Sequence, residues 1–263
     1  MSRHPALQQA KYFIFDMDGT FYLGDQMIPG AGDFAHSLAA FGLEYRFYTN
    51  NSSNSAAVCQ EKLRKMDFEA TLEEIILSSD VAADYLNGHC PGARVYLLGN
   101  ERLTEDMLRA GINLVEEQPD LVLLGFDTTL NYEKITKAAN WIAAGLPYYA
   151  THPDRNCPVT GGFLPDTGSM IALFEASAGR RPVVFGKPER FTVDYLLKRL
   201  QCEPEQLVFV GDRLETDIAI GARHGIPSVL VLTGVTTREA YEAQSEVRAS
   251  LVVDSIADIA MYI

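Results

Sequence analysis

The chain has 263 residues, 47% of them hydrophobic and 22% charged, and a formal net charge of −13. That length and composition suit one large domain or two modest ones with a sizeable core. The charge argues against nucleic acid, whose phosphate backbone is held by clustered Lys and Arg. No run of about 18 or more apolar residues occurs, so no membrane span is expected. Met1 to Lys11 shows no signal-peptide core and no small-residue cleavage site, so a cytoplasmic protein is expected. Cys59, Cys90, Cys157 and Cys202 form neither a CxxC nor a zinc spacing and read as thiols in a reducing compartment.

In chain order, Tyr12–Phe15 is a short apolar strand ending at Asp16. Gly30–Phe41 has helical periodicity, and Tyr45–Tyr48 is strand-like and ends at Thr49. Ser53–Met66 reads as a helix capped by Ser53 or Asn54. From about Ser79 to Arg181 a second alternation begins. Val95–Leu98, Leu121–Leu124 and Tyr148–Ala150 read as strands and Tyr132–Ala144 as a helix, with Tyr132 and Trp141 expected in its core. Thr151–Gly168 reads as a long loop of the kind that is often functional. Leu207–Val210 is a further strand ending at Gly211-Asp212, followed by helical Leu214–Arg223 and a strand at Ser228–Leu232. This order predicts an α/β fold: a parallel sheet core, 1–78 and 182–263, with an inserted α/β domain, 79–181.

An apolar strand ends in a polar cluster three times, at Asp16, at Thr49-Asn50-Asn51 and at Gly211-Asp212. Ligands of open α/β sheets bind beyond strand carboxyl ends, so the three clusters can share one site. Asp16 and Asp18, two residues apart past a strand, can face the same way. Charges that close need a cation or a proton between them, and magnesium suits carboxylate oxygens. An Asp- and Gly-rich turn is the equally good reading of that run alone. Asp212 offers another ligand, and Asp217 suits either a supporting role behind it or the favourable place of an acid at a helix start. Thr49, Asn50 and Asn51 offer an anion cradle at a helix start, or a plain cap. Lys187, in Gly186-Lys187-Pro188, suits a transferring phosphoryl group, or is a surface charge. The global charge would repel such a substrate, so local donors and a bound cation must reverse the field.

Together, Asp16-Met17-Asp18-Gly19-Thr20, Thr49-Asn50-Asn51, Gly186-Lys187-Pro188 and Gly211-Asp212-Arg213-Leu214-Glu215-Thr216-Asp217 resemble the haloacid dehalogenase (HAD) superfamily. The insert, and Ala150-Thr151-His152-Pro153-Asp154 with Gly168-Ser169, are similar to its NagD-like, class IIA branch. That resemblance implies a Rossmann-like HAD core with an inserted cap. It also implies a Mg2+-dependent phosphatase of small phosphorylated metabolites: sugar phosphates, nucleotides, glycerol phosphate or pyridoxal phosphate. Asp16 would be the nucleophile forming an aspartyl-phosphate, and Asp18 the general acid and base. Asp16, the Asp18 carbonyl and Asp212 would hold magnesium, with Asp217 behind them. Thr49, Asn50, Asn51 and Lys187 would hold the phosphoryl oxygens. The charge and the lack of an apolar span predict no nucleic-acid or membrane partner, and the resemblance implies that two copies can pair through the caps. A second acid at Asp18 favours phosphate esters over haloacids but leaves a phosphomutase open; a non-catalytic phosphate-sensing or partner-binding protein on the same fold is the other alternative.

One position departs from the branch. Pro165-Asp166-Thr167-Gly168 stands where Pro-Gly-x-Gly is common, and Asp166 is expected to cap a helix beginning near Thr167. Substrate selection is expected from Thr151–Val159, with His152, Asp154 and Cys157 as candidates, each also readable as ordinary loop polarity.

Overall fold

The computed structural model describes residues 3–159 and 161–263. The chain divides into two compact units, Met1–Thr49 with Cys59–Ile76 and Val193–Ile263, and Asn50–Val58 with Leu77–Thr192. Relative to the expected borders, residues 50–58, 77–78 and 182–192 group with the insert.

The first unit is built on a six-stranded sheet. Its order is Leu251–Val253, Ser228–Val231, Leu207–Gly211, Tyr12–Phe15, Glu44–Thr49, Ile75–Leu77. Tyr12–Phe15 runs parallel to both its neighbours. All four of its residues are buried, as are all five of Leu207–Gly211. A strand covered on both faces reads as a continuous apolar run, which is why these two were legible in the sequence. Below the sheet an aromatic cluster forms: the Phe21 ring lies edge-on at 4.8 Å from Phe47 and 4.9 Å from Phe68. Such T-shaped contacts place ring edges against ring faces and fix the chain that follows Asp16.

The second unit carries a five-stranded sheet in the order Val183–Val184, Tyr148–Ala150, Leu121–Leu124, Arg94–Leu98, Asn113–Leu114. Its paired strands are parallel. The helices Tyr132–Ala143 and Thr167–Ala178 cover one core around Val122, Leu124, Ile142 and Phe174.

Several expectations change in detail. Helical Gly30–Phe41 is an α-helix, Ala31–Ser37, tightened into a 3-10 turn, Leu38–Phe41. The helix expected over Ser53–Met66 is Ala56–Arg64. Its first turn is capped by Ser55, whose hydroxyl accepts from the Val58 amide at 3.4 Å, rather than by Ser53 or Asn54. Leu214–Arg223 opens with a π turn, Leu214–Ile218, before the α-helix Ala219–His224.

The expected loop Thr151–Gly168, whose position 160 lies outside the described residues, contains a hairpin. Asn156–Val159 pairs antiparallel with Gly162–Pro165, and the helix then starts at Thr167. Both strands are exposed along most of their length, so no alternation of apolar and polar residues marks them. Trp141 packs edge-on against Tyr96 at 4.5 Å and joins the core. Tyr132 does not: at the first position of its helix it is 83% exposed.

Candidate active site

The residues singled out in the sequence fall into two groups, one in each unit. In the first unit the register explains the meeting of the acids. Phe15 pairs with Val210 on one side and Phe47 on the other. Asp16, Asp212 and Thr49 therefore leave the carboxyl ends of three adjacent strands, Asp212 and Thr49 each one residue further out than Asp16. The Asp16 amide still donates to the Val210 carbonyl at 2.8 Å, which fixes its place on the sheet.

Asp16, Asp212 and Asp217 each bring a carboxylate oxygen within 4.8 Å of the others. Asp217, expected behind Asp212, thus joins the same cluster. Asp212 and Asp217 are buried. Burial, then the neighbouring Asp217 charge, pushes the Asp212 carboxyl up to about 6, opposed by the Val235 amide and Arg213. Asp212 Oδ2 accepts from the Val235 amide at 2.6 Å. Oδ1 is buried and meets no hydrogen-bond donor among the described residues.

Such an oxygen is costly unless something cationic or protic meets it. A hard divalent cation, which takes oxygen ligands, satisfies it and offsets the charge of the other two acids. The residues present therefore fit magnesium. Gly19 keeps the space open. It sits at φ +86, and a Cβ there would come 2.5 Å from Asp212 Oδ2. Its carbonyl accepts from the Thr233 hydroxyl at 2.6 Å.

The Asp18 carboxylate stands outside that trio, with Oδ2 3.9 Å from Lys62 Nζ. Burial raises its pKa, against the lowering influence of Lys62 and Arg213. A carboxyl raised above its ordinary value keeps its proton to higher pH, which a general acid needs.

In the second unit the Asn50 side chain clamps the backbone of Lys187. Asn50 Oδ1 accepts from the Lys187 amide at 2.9 Å, and Nδ2 donates to the Lys187 carbonyl at 3.0 Å. Nδ2 also lies 3.3 Å from Asp154 Oδ1. The Lys187–Pro188 peptide is cis. Asn50 and Lys187 are both buried. Asn51 turns back on its own chain, where Oδ1 accepts from the Ser53 amide and hydroxyl, while Nδ2 reaches Cys157 Sγ at 3.7 Å.

Asp166 caps its helix as expected, its side chain accepting from the Thr167 amide at 2.6 Å. His152 is wholly buried, with Nε2 2.8 Å from Asp166 Oδ1, so it presents no ring edge to solvent. Thr233 and Val235 were missed by the sequence reading. Their signal is a fourth strand end that passes into a Thr- and Gly-containing turn, Thr233-Gly234, just past the Ser228–Val231 strand.

Comparison with known proteins bears on these arrangements. The haloacid dehalogenase-like hydrolase family matches residues 13–113, and a second HAD hydrolase-like family matches residues 184–259. An acid sugar phosphatase of Staphylococcus aureus is 35% identical over 234 residues, 89% of this chain and 90% of that protein. The crystal structure of a 4-nitrophenylphosphatase from Thermotoga maritima has a TM-score of 0.94 at 39% identity, covering 98% of this chain and 99% of the other. A glycerol phosphate phosphatase from Mycobacterium tuberculosis, solved in complex with calcium, has a TM-score of 0.87 at 33% identity, covering 97% and 76%.

Proposed function

Because this chain belongs to the haloacid dehalogenase-like hydrolases, in their NagD-like branch, and is a phosphatase of phosphate monoesters, we propose that it is magnesium-dependent and carries the phosphoryl group on Asp16. The observation that carries this reading is the buried Asp212 Oδ1 with no donor, grouped with Asp16 at adjacent strand ends. Asp16, Asp212 and the Asp18 carbonyl would hold the ion, with Asp217 near enough to join them. When bound, magnesium supplies the positive charge that lets an anionic ester approach a carboxylate.

Asp16 attacks phosphorus and forms an aspartyl-phosphate while the leaving alkoxide departs in line. Asp18 gives its proton to that alkoxide, then takes one from the water that attacks the aspartyl-phosphate. Its raised pKa supports the first of these roles. Thr49, Asn50, Asn51 and Lys187 would hold phosphoryl oxygens, Lys187 adding a point charge and Asn50 an amide. The proposed substrate is a small phosphorylated metabolite of the sugar phosphate or glycerol phosphate kind, supported by the names of two relatives. The cytoplasm is the proposed compartment: four cysteines stand without a disulfide, and no helix among the described residues is long and apolar enough to cross a membrane.

Phosphate release from 4-nitrophenyl phosphate, with magnesium and with chelator, tests the reading. Turnover should require magnesium, and Asp16→Asn should lower kcat by about 10⁴-fold or more, as loss of a nucleophile does. Full activity in Asp16→Asn would sink the mechanism. Phosphate binding without any turnover would instead favour a sensing protein.

A further inference from the structure

Asp166 and His152 form a buried pair with no part in the chemistry just described. We propose that this pair is a positioning device for Asn50 and Lys187, acting through two hydroxyls; the inference rests on the phosphoryl-binding role proposed for those two residues.

The hydrogens can be assigned along the chain of contacts. Ser52 Oγ accepts from the Phe126 amide at 2.9 Å, so its own hydrogen is available to Thr151 Oγ1, 3.0 Å away. Thr151 Oγ1 then donates to His152 Nδ1 at 2.9 Å. With Nδ1 accepting, the ring proton sits on Nε2 and is donated to Asp166 Oδ1 at 2.8 Å. The opposite order would leave the Ser52 hydrogen with no acceptor in this series, inside a buried network where each unmade bond is costly. Ser52, Thr151, His152 and Asp166 are all buried.

His152 touches both arms of the clamp. Ser78 Oγ gives its hydrogen to the Asn50 carbonyl at 2.7 Å, so its 3.4 Å approach to the unprotonated Nδ1 is a packing contact, and the hydrogen-bonded link to the Asn50 segment runs through Thr151 and Ser52. On the other side, a Cβ on Gly186 would lie 2.6 Å from Asn50 Oδ1, 2.7 Å from His152 Cβ and 2.7 Å from the Thr151 carbonyl, so glycine lets the segment carrying Lys187 close onto Asn50 and the Thr151–His152 backbone. The same helix start also holds Asp154. The Gly168 amide donates to the Asp154 carbonyl at 2.7 Å, and the Asp154 side chain receives the Asn50 amide. Asp166 thus does two separable things, capping its helix and fixing the ring of His152, both through Oδ1. Side chains that support a ligand-holding group contribute by narrowing its geometry, and misplacement of about 1 Å can cost 10²-fold in rate.

Two substitutions separate the jobs. Asp166→Ser keeps a capping oxygen but is too short to reach His152; Asp166→Asn keeps an oxygen for both. With 4-nitrophenyl phosphate and saturating magnesium, Asp166→Ser should lower kcat by about tenfold or more and move KM less, while Asp166→Asn restores kcat to within about threefold of wild type. The melting midpoints of both variants should lie above the assay temperature. A smaller loss in Asp166→Ser, or an Asn variant as impaired as the Ser variant, overturns the inference alone. A wild-type protein without turnover overturns the proposed function and this inference with it. If Asp166→Ser does not fold, the pair Thr151→Val and Thr151→Ser makes the same test: the isosteric loss of the hydroxyl should lower kcat as above, its retention should not, and equal kcat in the two overturns the inference.

Discussion

Each sheet has one place where successive strands leave to opposite sides, and the two places hold different things. In the six-stranded sheet it lies between Tyr12–Phe15 and Leu207–Gly211, and carboxylates gather there: Asp16, Asp212 and, one helical turn later, Asp217. In the five-stranded sheet it lies between Arg94–Leu98 and Leu121–Leu124, and the chain itself fills it. Asn100 donates to the Ser53 carbonyl at 2.9 Å, the Phe126 amide donates to Ser52 Oγ, and Arg102 reaches the Asn54 side chain at 2.9 Å. Such crevices are where open α/β sheets bind ligands. The same topology therefore presents a site in one case and a socket in the other, and what decides is whether the strand ends carry unbalanced negative charge or donors already paired with the segment that fills the crevice.

The largest effect expected from that contrast is at Gly19. Gly19→Ala would set a Cβ against the Asp212 carboxylate in a backbone conformation unfavourable for alanine. Turnover of 4-nitrophenyl phosphate should fall by about 10²-fold or more, and near wild-type kcat would show that the carboxylate end tolerates filling.

A second effect separates charge from shape by pH. The folded-state pKa of Asp212 is raised to about 6 from an ordinary value of 3.8. The folded, ion-free protein therefore holds a proton that the unfolded chain has lost, and this contribution to stability is present below the ordinary value and lost as pH rises through about 6. Magnesium takes the proton's place, so the melting midpoint with magnesium minus that with chelator should widen from pH 5 to pH 7. An unchanged difference would mean that Asp212 does not meet the ion.

The smallest effect is expected at the socket. Asn100→Ala removes the bond to Ser53 and the cap on the Glu101–Arg109 helix, where Asn100 Oδ1 accepts from the Leu103 amide at 3.1 Å. Denaturant unfolding should show a loss of about 1–3 kcal/mol. Asn100→Asp keeps the cap but has no amide to donate, so it should recover only part. Full recovery would mean that the bond into the socket adds nothing.

How much of this the sequence disclosed depends on whether the information is local. Tyr12–Phe15 and Leu121–Leu124 are bounded correctly because each is apolar throughout and buried throughout. Asp16 and Asp212 were singled out because each closes such a run, and Thr49 because it closes a strand that is buried only near its end, at Phe47 and Tyr48. The hairpin at Asn156–Pro165 was not legible: exposed on both strands, it carries no periodicity to detect. Tyr132 was misplaced because an aromatic residue in a helical pattern says core, whereas the first helical position projects into solvent here. His152 was weighed as a loop side chain, since its partners Ser78 and Asp166 lie 74 and 14 positions away. Asp217 was placed behind Asp212 by spacing and by the family resemblance, and the π turn of Leu214–Ile218, which precedes the α-helix, was not foreseen.

The chain crosses between the units four times, first at the peptide bond joining Thr49 to Asn50 and again after Val58, Ile76 and Thr192. This has a consequence for modularity. An insert excised at its sequence ends would take Asn100, Phe126 and Thr151 with it and leave Ser52 and Ser53 without the groups that hold them. The inserted sheet is therefore not an accessory that can be traded between chains at its junctions. A working graft has to carry Asn50–Val58 along with it, so that the transplanted piece is discontinuous in sequence.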